Sequence, residues 1–148
     1  MKSILKSFDE LSAKELYDIL YLRQNVFIIE QDCIYSDIDG NDHKALHLLI
    51  HNAKSLIAYL RIFPPGVKTS ESSIGRIVVA PGHRGTGLGK ELINSGIRIC
   101  QERYPESSIK IEAQAALKEY YSNYGFVPEG DVYVWDGIDH IKMVLTKD

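Results

Sequence analysis

IVVAPGHRGTGLGKEL, residues 77–92, runs a β-branched strand directly into a glycine-rich turn and out of it into a helix. Gly85, Gly87 and Gly89 carry no side chain, so this turn can come close to a ligand. Helix-start N–H groups lack intrahelical partners, and the helix dipole adds positive potential there, which makes the turn a candidate phosphate site. Arg84 and Lys90 bring further positive charge. Two nucleotide motifs fail on residues. A P-loop needs a first glycine where Arg84 stands and a hydroxyl where Glu91 follows Lys90. A dinucleotide fingerprint needs G-x-G-x-x-G, which begins at neither Gly85 nor Gly87.

Outward from this turn, the helix continues to Arg103 with Leu92, Ile93, Gly96, Ile97 and Cys100 inward, and Pro105 stops it. Residues 108–114 read as a strand and 115–125 as a helix closed by Gly125. On that helix Leu117, Tyr120, Tyr121 and Tyr124 share an inward face, and two strands end the chain. Upstream, residues 3–8 make a strand, and Ser12 with Glu15 forms a capping box that opens a helix. Residues 32–44 are a polar loop, and 45–52 and 55–63 a hairpin. The order β-α-β-β-β-α-β-α-β-β predicts one α/β domain over residues 1–148 with a mixed sheet.

The 148 residues are 45% hydrophobic and 25% charged with a net charge of -3, an ordinary globular balance. No basic excess points to nucleic acid, and no apolar run approaches the ~20 residues of a membrane helix. Cys33 and Cys100 match no metal spacing, and the N-terminus has no signal core, so the expected location is the cytoplasm. His47 and His51 share a strand face too spread for one metal, and the expectation is a solvated face.

The motif Arg84-Gly85-Thr86-Gly87-Leu88-Gly89, an R-x-x-G-x-G after a β-branched strand, resembles the pyrophosphate loop of the GCN5-related N-acetyltransferase (GNAT) family. A second segment, QAALKEYYSNYGF at 114–126, resembles the family's N-x-x-A-x-x-x-Y-x-x-x-G-F, with Gln114 in place of Asn and the alanine displaced by one. The front, LRQNVFIIEQDCIYSDIDGND at 22–42, is similar to the ElaA-like subgroup's R-x-x-V-F-x-x-E-Q-x-C-P-Y-x-D-x-D, with Ile34 replacing the proline. The resemblance covers nearly the whole chain. It implies the GNAT (acyl-CoA N-acyltransferase) fold, a mixed central sheet with helices on both faces, and acetyl-CoA as cofactor.

On this resemblance Ile77, Val78 and Val79 form the strand that holds the thioester, with the Val79 N–H as donor to its carbonyl. Arg84 through Lys90 would hold the pyrophosphate (Arg84, Gly85, Thr86, Gly87, Leu88, Gly89, Lys90), and Gln114 would bond the cofactor arm. Tyr121 would protonate the departing thiolate, while Tyr120 and Tyr124 pack. An alkyl ammonium, with a pKa near ~10, must lose a proton before it attacks. Glu112, Glu30 and His47 are the candidate acceptors of that proton. Arg23, Phe27, Glu30, Tyr35 and His47 would border the acceptor.

Arg23 interrupts an apolar helix face and must pair. Glu30, two turns on, is the expected partner, either as a buried anchor or as part of the pocket wall. Asp32, Asp37, Asp39 and Asp42 are expected to be solvated loop, with attraction of a cationic amine as the other reading. The expected reaction is acetyl transfer to a primary amine through a ternary complex, without a covalent enzyme intermediate. Small molecules and protein lysines both remain open as acceptor, and the last two strands are candidates for pairing across a homodimer. The competing classes are a non-catalytic acyl-CoA-binding module and a protein-interaction domain; Tyr121 argues against the first, and Arg84, Lys90 and the GF pair against the second.

Overall fold

The capping box forms as the sequence requires: the Glu15 N–H donates to Ser12 Oγ at 3.1 Å, and the Ser12 N–H donates to the Glu15 carboxylate at 2.8 Å. It opens helix α1 (Ala13–Arg23). The structure, a computed structural model, describes residues 1–53 and 55–147. Beyond α1 the helix widens over Gln24–Glu30, where Gln31 and Cys33 donate to the carbonyls of Val26 and Ile28, five residues back. Such widened turns are rare and change which residues share a face.

Strand β1 (Lys2–Ser7) pairs with β2 (Leu46–Asn52), which forms the expected hairpin with β3 (Ser55–Phe63). Strand β4 (Ser72–Val79) is followed by helix α2 (Leu88–Arg103), strand β5 (Ile109–Gln114) and a short helix α3 (Lys118–Ser122). Strands β6 (Val127–Trp135) and β7 (Ile138–Leu145) close the chain. The sheet order is β1-β2-β3-β4-β5-β7-β6, so β7 lies inside the sheet and β6 alone of the last two strands is an edge. The mixed sheet with helices on both faces is the expected architecture.

Each face has its own core. Leu92, Ile93, Ile97 and Cys100 of α2 cover Leu60, Ile74 and Ile111, whereas Ile19, Leu22 and Val26 cover Leu49, Tyr59 and Val78. At Gly96 a Cβ would lie 2.9 Å from Leu60 Cδ2, so the absent side chain is what lets α2 lie this close to β3.

The sequence places one helix over 115–125; the structure instead has a tight 3₁₀ turn at Ala115–Leu117 and then only five residues of α-helix. A 3₁₀ turn advances three residues per turn rather than 3.6, so the inward face drifts. Tyr121 stays buried, but Leu117 and Tyr120 are 41% and 40% exposed, which corrects their inward assignment.

Candidate active site

Strand β4 is where the sheet opens. Its parallel pairing with β5 covers only Ser72–Ile109 and Ser73–Lys110. Against β3 its register shifts, with Arg61 opposite Gly75 but Tyr59 opposite Val78, so Arg76 and Ile77 together face Leu60. This β-bulge puts Arg76 in the left-handed region at φ 51 and bends β4 away from β5. Past the bulge, Ala80 donates to the Ile57 carbonyl at 2.8 Å. Antiparallel bonding alternates, so Val79, opposite Ala58, turns its N–H and C=O away from β3 and into the opened cleft. The Val79 carbonyl accepts there from Arg84 Nε at 3.3 Å.

At the end of the same strand, Gly85 and Gly87 take φ 75 and φ 86, conformations that cost a side-chain-bearing residue strain. A Cβ at either would meet nothing within 4 Å, so the space over the turn is open. Gly87 is the N-cap of α2, which leaves the N–H groups of the following residues free to meet an anion. Gly89 is tighter, since a Cβ there would come within 3.3 Å of the Tyr120 hydroxyl. The exposed side of Tyr120 therefore borders the turn, while its hydroxyl accepts from Tyr124 at 3.1 Å.

A cavity of about 370 Å³ occupies the cleft between β4 and β5. Ile77, Glu112, Gln114 and Tyr121 line it, as do Phe27 and Tyr35. Burial, with a small contribution from Tyr120, pushes the Tyr121 phenol up to about 12, so it holds its proton at neutral pH. Arg61 Nε and Ser73 Oγ are buried at this cavity without a hydrogen-bond partner among the described residues, and unpaired buried polar atoms mark a place where a ligand gains bonds.

Three expected acceptor residues lie elsewhere. Arg23 is fully buried and pairs not with Glu30 but with Asp37 at 2.9 Å and Asp42 at 2.8 Å. The widened turns after Gln24 carry Glu30 off the Arg23 face, and its carboxylate pairs with Arg84 of the glycine turn at 2.7 Å. That bond holds Glu30's carboxyl below its ordinary range. His47 is also fully buried rather than solvated, because β2 is packed on both faces, with Leu48 and Ile50 in one core and Leu49 in the other. Its Nε2 lies 2.9 Å from the Asp42 carbonyl and its Nδ1 2.6 Å from the Tyr59 hydroxyl, so Nε2–H donates and Nδ1 accepts.

The acidic loop is a second correction. Asp37 and Asp42 are buried, and Arg61 bonds Asp39 and, at 2.8 Å, Asp42. Arg76, the bulge residue, reaches Asp37 at 2.8 Å and the Asp37 carbonyl at 3.0 Å. Burial alone would raise the Asp39 and Asp42 carboxyls, but bonds to Arg61 and Arg23 overcome it and hold both below the usual range. Only Asp32 of the four is exposed loop. The loop thus forms one wall of the cavity, locked to the strand that opens it.

The far wall was not visible in the sequence. Trp135, Asp136, His140 and Lys142 of the β6–β7 hairpin line the cavity with Lys68. Cys33 Sγ bonds the Asp136 carbonyl at 3.3 Å, so the two walls touch. Cys100 is buried, and burial raises its thiol to about 11. Among the described residues no group of His, Cys, Asp or Glu could hold a metal ion, and no helix is long and apolar enough to cross a membrane.

A family model described as acetyltransferase (GNAT) domain matches residues 10–147. A UPF0039 protein of Synechocystis is 38% identical over 139 residues, covering 93% of this chain and 90% of that protein. Protein ElaA of Escherichia coli is 38% identical over 136 residues, 90% of this chain and 89% of its own. Its crystal structure matches at a TM-score of 0.90 over 97% of both chains. An acyl-CoA N-acyltransferase from Pseudomonas aeruginosa matches at a TM-score of 0.92 and 35% identity, covering 97% of this chain and 99% of that one.

Proposed function

This chain belongs to the acetyltransferase (GNAT) family, in its ElaA-like branch, and from that premise we propose that it transfers the acetyl group of acetyl-CoA to a primary amine within a ternary complex. The observation that carries the reading is the opened β4–β5 cleft, with a free Val79 N–H, a buried Tyr121 and an anion-ready turn all reached from one strand.

Acetyl-CoA would supply the activated acetyl thioester. The turn from Arg84 to Lys90 is fitted to the pyrophosphate: Gly85, Thr86, Gly87, Leu88 and Gly89 offer backbone and open space, and Arg84 and Lys90 offer charge. Ile77, Val78 and Val79 are assigned to the pantetheine arm and thioester, with Gln114, already 3.4 Å from Gln31 Oε1, as an amide contact across the cleft. The Val79 N–H is a preorganised donor for a carbonyl oxygen that gains negative charge. Tyr121, protonated at neutral pH, is the proton donor to the leaving sulfur.

For the acceptor, Phe27 and Tyr35 line the cavity, whereas Arg23, Glu30 and His47 do not. Of the proton acceptors named from sequence, Glu112 alone borders the cavity and is the carboxylate candidate for the amine's proton. The amine must be neutral when it attacks, because an ammonium has no lone pair.

The test is isothermal titration of acetyl-CoA into the protein and into a Gly87→Trp variant whose fold is checked by circular dichroism. Micromolar binding by the first and none by the second is expected. A folded protein that binds no acetyl-CoA would refute the reading.

A further inference from the structure

The sheet register picks out a proton acceptor that sequence motifs did not. Strand β7 sets His140 directly opposite Gln114, the last residue of β5, and Lys142 opposite Glu112. From the Ser73–Lys110 pair, with one extra residue at the Arg76 bulge, Val78 comes level with Gln114. In that register Val79 falls one position beyond the Gln114–His140 rung across the opened cleft, and Glu112 sits two residues before Gln114, about 7 Å along the strand.

The faces also divide the labour. Ile111 and Ala113 turn to the α2 side, where Tyr121 is packed. Side chains alternate along a strand, so Glu112, Gln114 and the cross-strand partner His140 project to the opposite side. A base there and an acid at Tyr121 reach the cleft from opposite faces, as an attacking nitrogen and a departing sulfur require.

His140 is held in one tautomer. Its Nδ1 lies 2.8 Å from the Ile138 carbonyl, which can only accept, so Nδ1 carries a hydrogen and, in the uncharged ring, Nε2 the lone pair. Trp135 at 5.3 Å and Tyr133 at 6.1 Å between ring centroids fix the imidazole's orientation. The charged and titratable groups around it are Glu112 on β5, Lys142 on its own strand, Tyr133 and Asp136 on the hairpin, and Lys68 and Cys33 on the bordering loops.

Resting on the acetyltransferase reading, we propose that His140, rather than Glu112, is the general base that receives the amine's proton. Nε2 takes one proton from the acceptor's ammonium and passes it to water. As the nitrogen–carbon bond forms, the carbon–sulfur bond breaks and its electron pair stays on sulfur. Tyr121 protonates that sulfur, and the nitrogen's second proton, carried by His140 and water, restores the phenol.

The experiment uses His140→Asn, whose amide can still donate to Ile138, with Glu112→Gln as the comparison. Thermal melting and acetyl-CoA titration should be unchanged in His140→Asn. With a panel of primary amines, its kcat should fall about 10²-fold, and the acid limb of its kcat/KM profile should vanish. Added imidazole should restore part of the rate. Retention of the acid limb and of kcat within about threefold, while Glu112→Gln loses both, would overturn the assignment and leave the acetyltransferase reading standing. Wild type that binds no acetyl-CoA, or releases no thiol with any amine, would overturn both.

Discussion

On the α2 face of the sheet Leu60, Ile74 and Ile111 meet Leu92, Ile93 and Cys100, whereas the α1 face, beside its apolar cluster of Ile19, Leu22 and Val26, sets Arg23, Arg61 and Arg76 against Asp37, Asp39 and Asp42. The apolar face closes over a regular helix, whose backbone bonds are already satisfied within itself. The charged face must hold residues 31–44, a mostly irregular segment whose backbone needs partners. Apolar contact is non-directional and cannot fix such a loop, but guanidinium bonds can. The Asp37 carbonyl accepts from Arg23 at 2.9 Å and from Arg76 at 3.0 Å, so the same side chains that neutralise the carboxylates also hold the loop's main chain. The cavity wall is thereby tied to the bulge that bends β4.

The comparison is sharpened by deleting one anchor on each face. Arg23→Met leaves Asp37 and Asp42 short of a buried partner, and a loss of about 3–5 kcal/mol in urea unfolding is expected. Gly96→Ala crowds Leu60 across the apolar face but gains helix propensity. Overpacking of this kind costs about 1–3 kcal/mol before that gain, so its net loss should be the smaller. If Gly96→Ala proves the more damaging, the ionic wall is not the main tie.

Acid should act on the two faces unequally. Burial lowers the pKa of His47, which is satisfied as the neutral tautomer by Tyr59 and Asp42. The unfolded imidazole, with a pKa of ~6.5, then binds more protons than the folded one, so its contribution is complete above that pH and is lost as pH falls toward the folded value. The lowered Asp39 and Asp42 carboxyls contribute above their unfolded values of ~3.9 and lose that contribution in stronger acid. Urea midpoints followed downward from pH 7 should therefore decline in two stages, the first absent in His47→Gln. A single decline confined to the carboxylate range would mean that His47 is not held neutral.

What could be read in the sequence divides along the same line. The glycine turn, the capping box and Tyr121 are local signals: each needs only its neighbours to state its geometry, and each stands where the pattern put it. The Arg23–Glu30 pairing failed because a widened helical turn is set by tertiary demand and leaves no spacing rule to read. Asp37, Asp39 and Asp42 looked like solvated loop because their partners Arg61 and Arg76 lie on strands brought to them only by folding. Trp135 and His140 were missed for the same reason: they meet the site because β7 inserts beside β5, a topology that the order of elements alone does not dictate.

The smallest expected effect concerns the contact that joins the two regions. Glu30, on the widened end of the α1 helix, holds Arg84 of the glycine turn through both carboxylate oxygens, at 2.8 Å and 2.7 Å. The pair is exposed, so its removal should leave the melting temperature unchanged. If Arg84 serves a phosphate, Glu30 competes with that phosphate for the guanidinium. Glu30→Gln should then bind acetyl-CoA severalfold more tightly at low ionic strength, with the gain shrinking as salt screens the exposed charges. Weaker binding in the same titration would reverse the assignment: Glu30 would be what aims Arg84 at its ligand, and the charged face would reach as far as the turn.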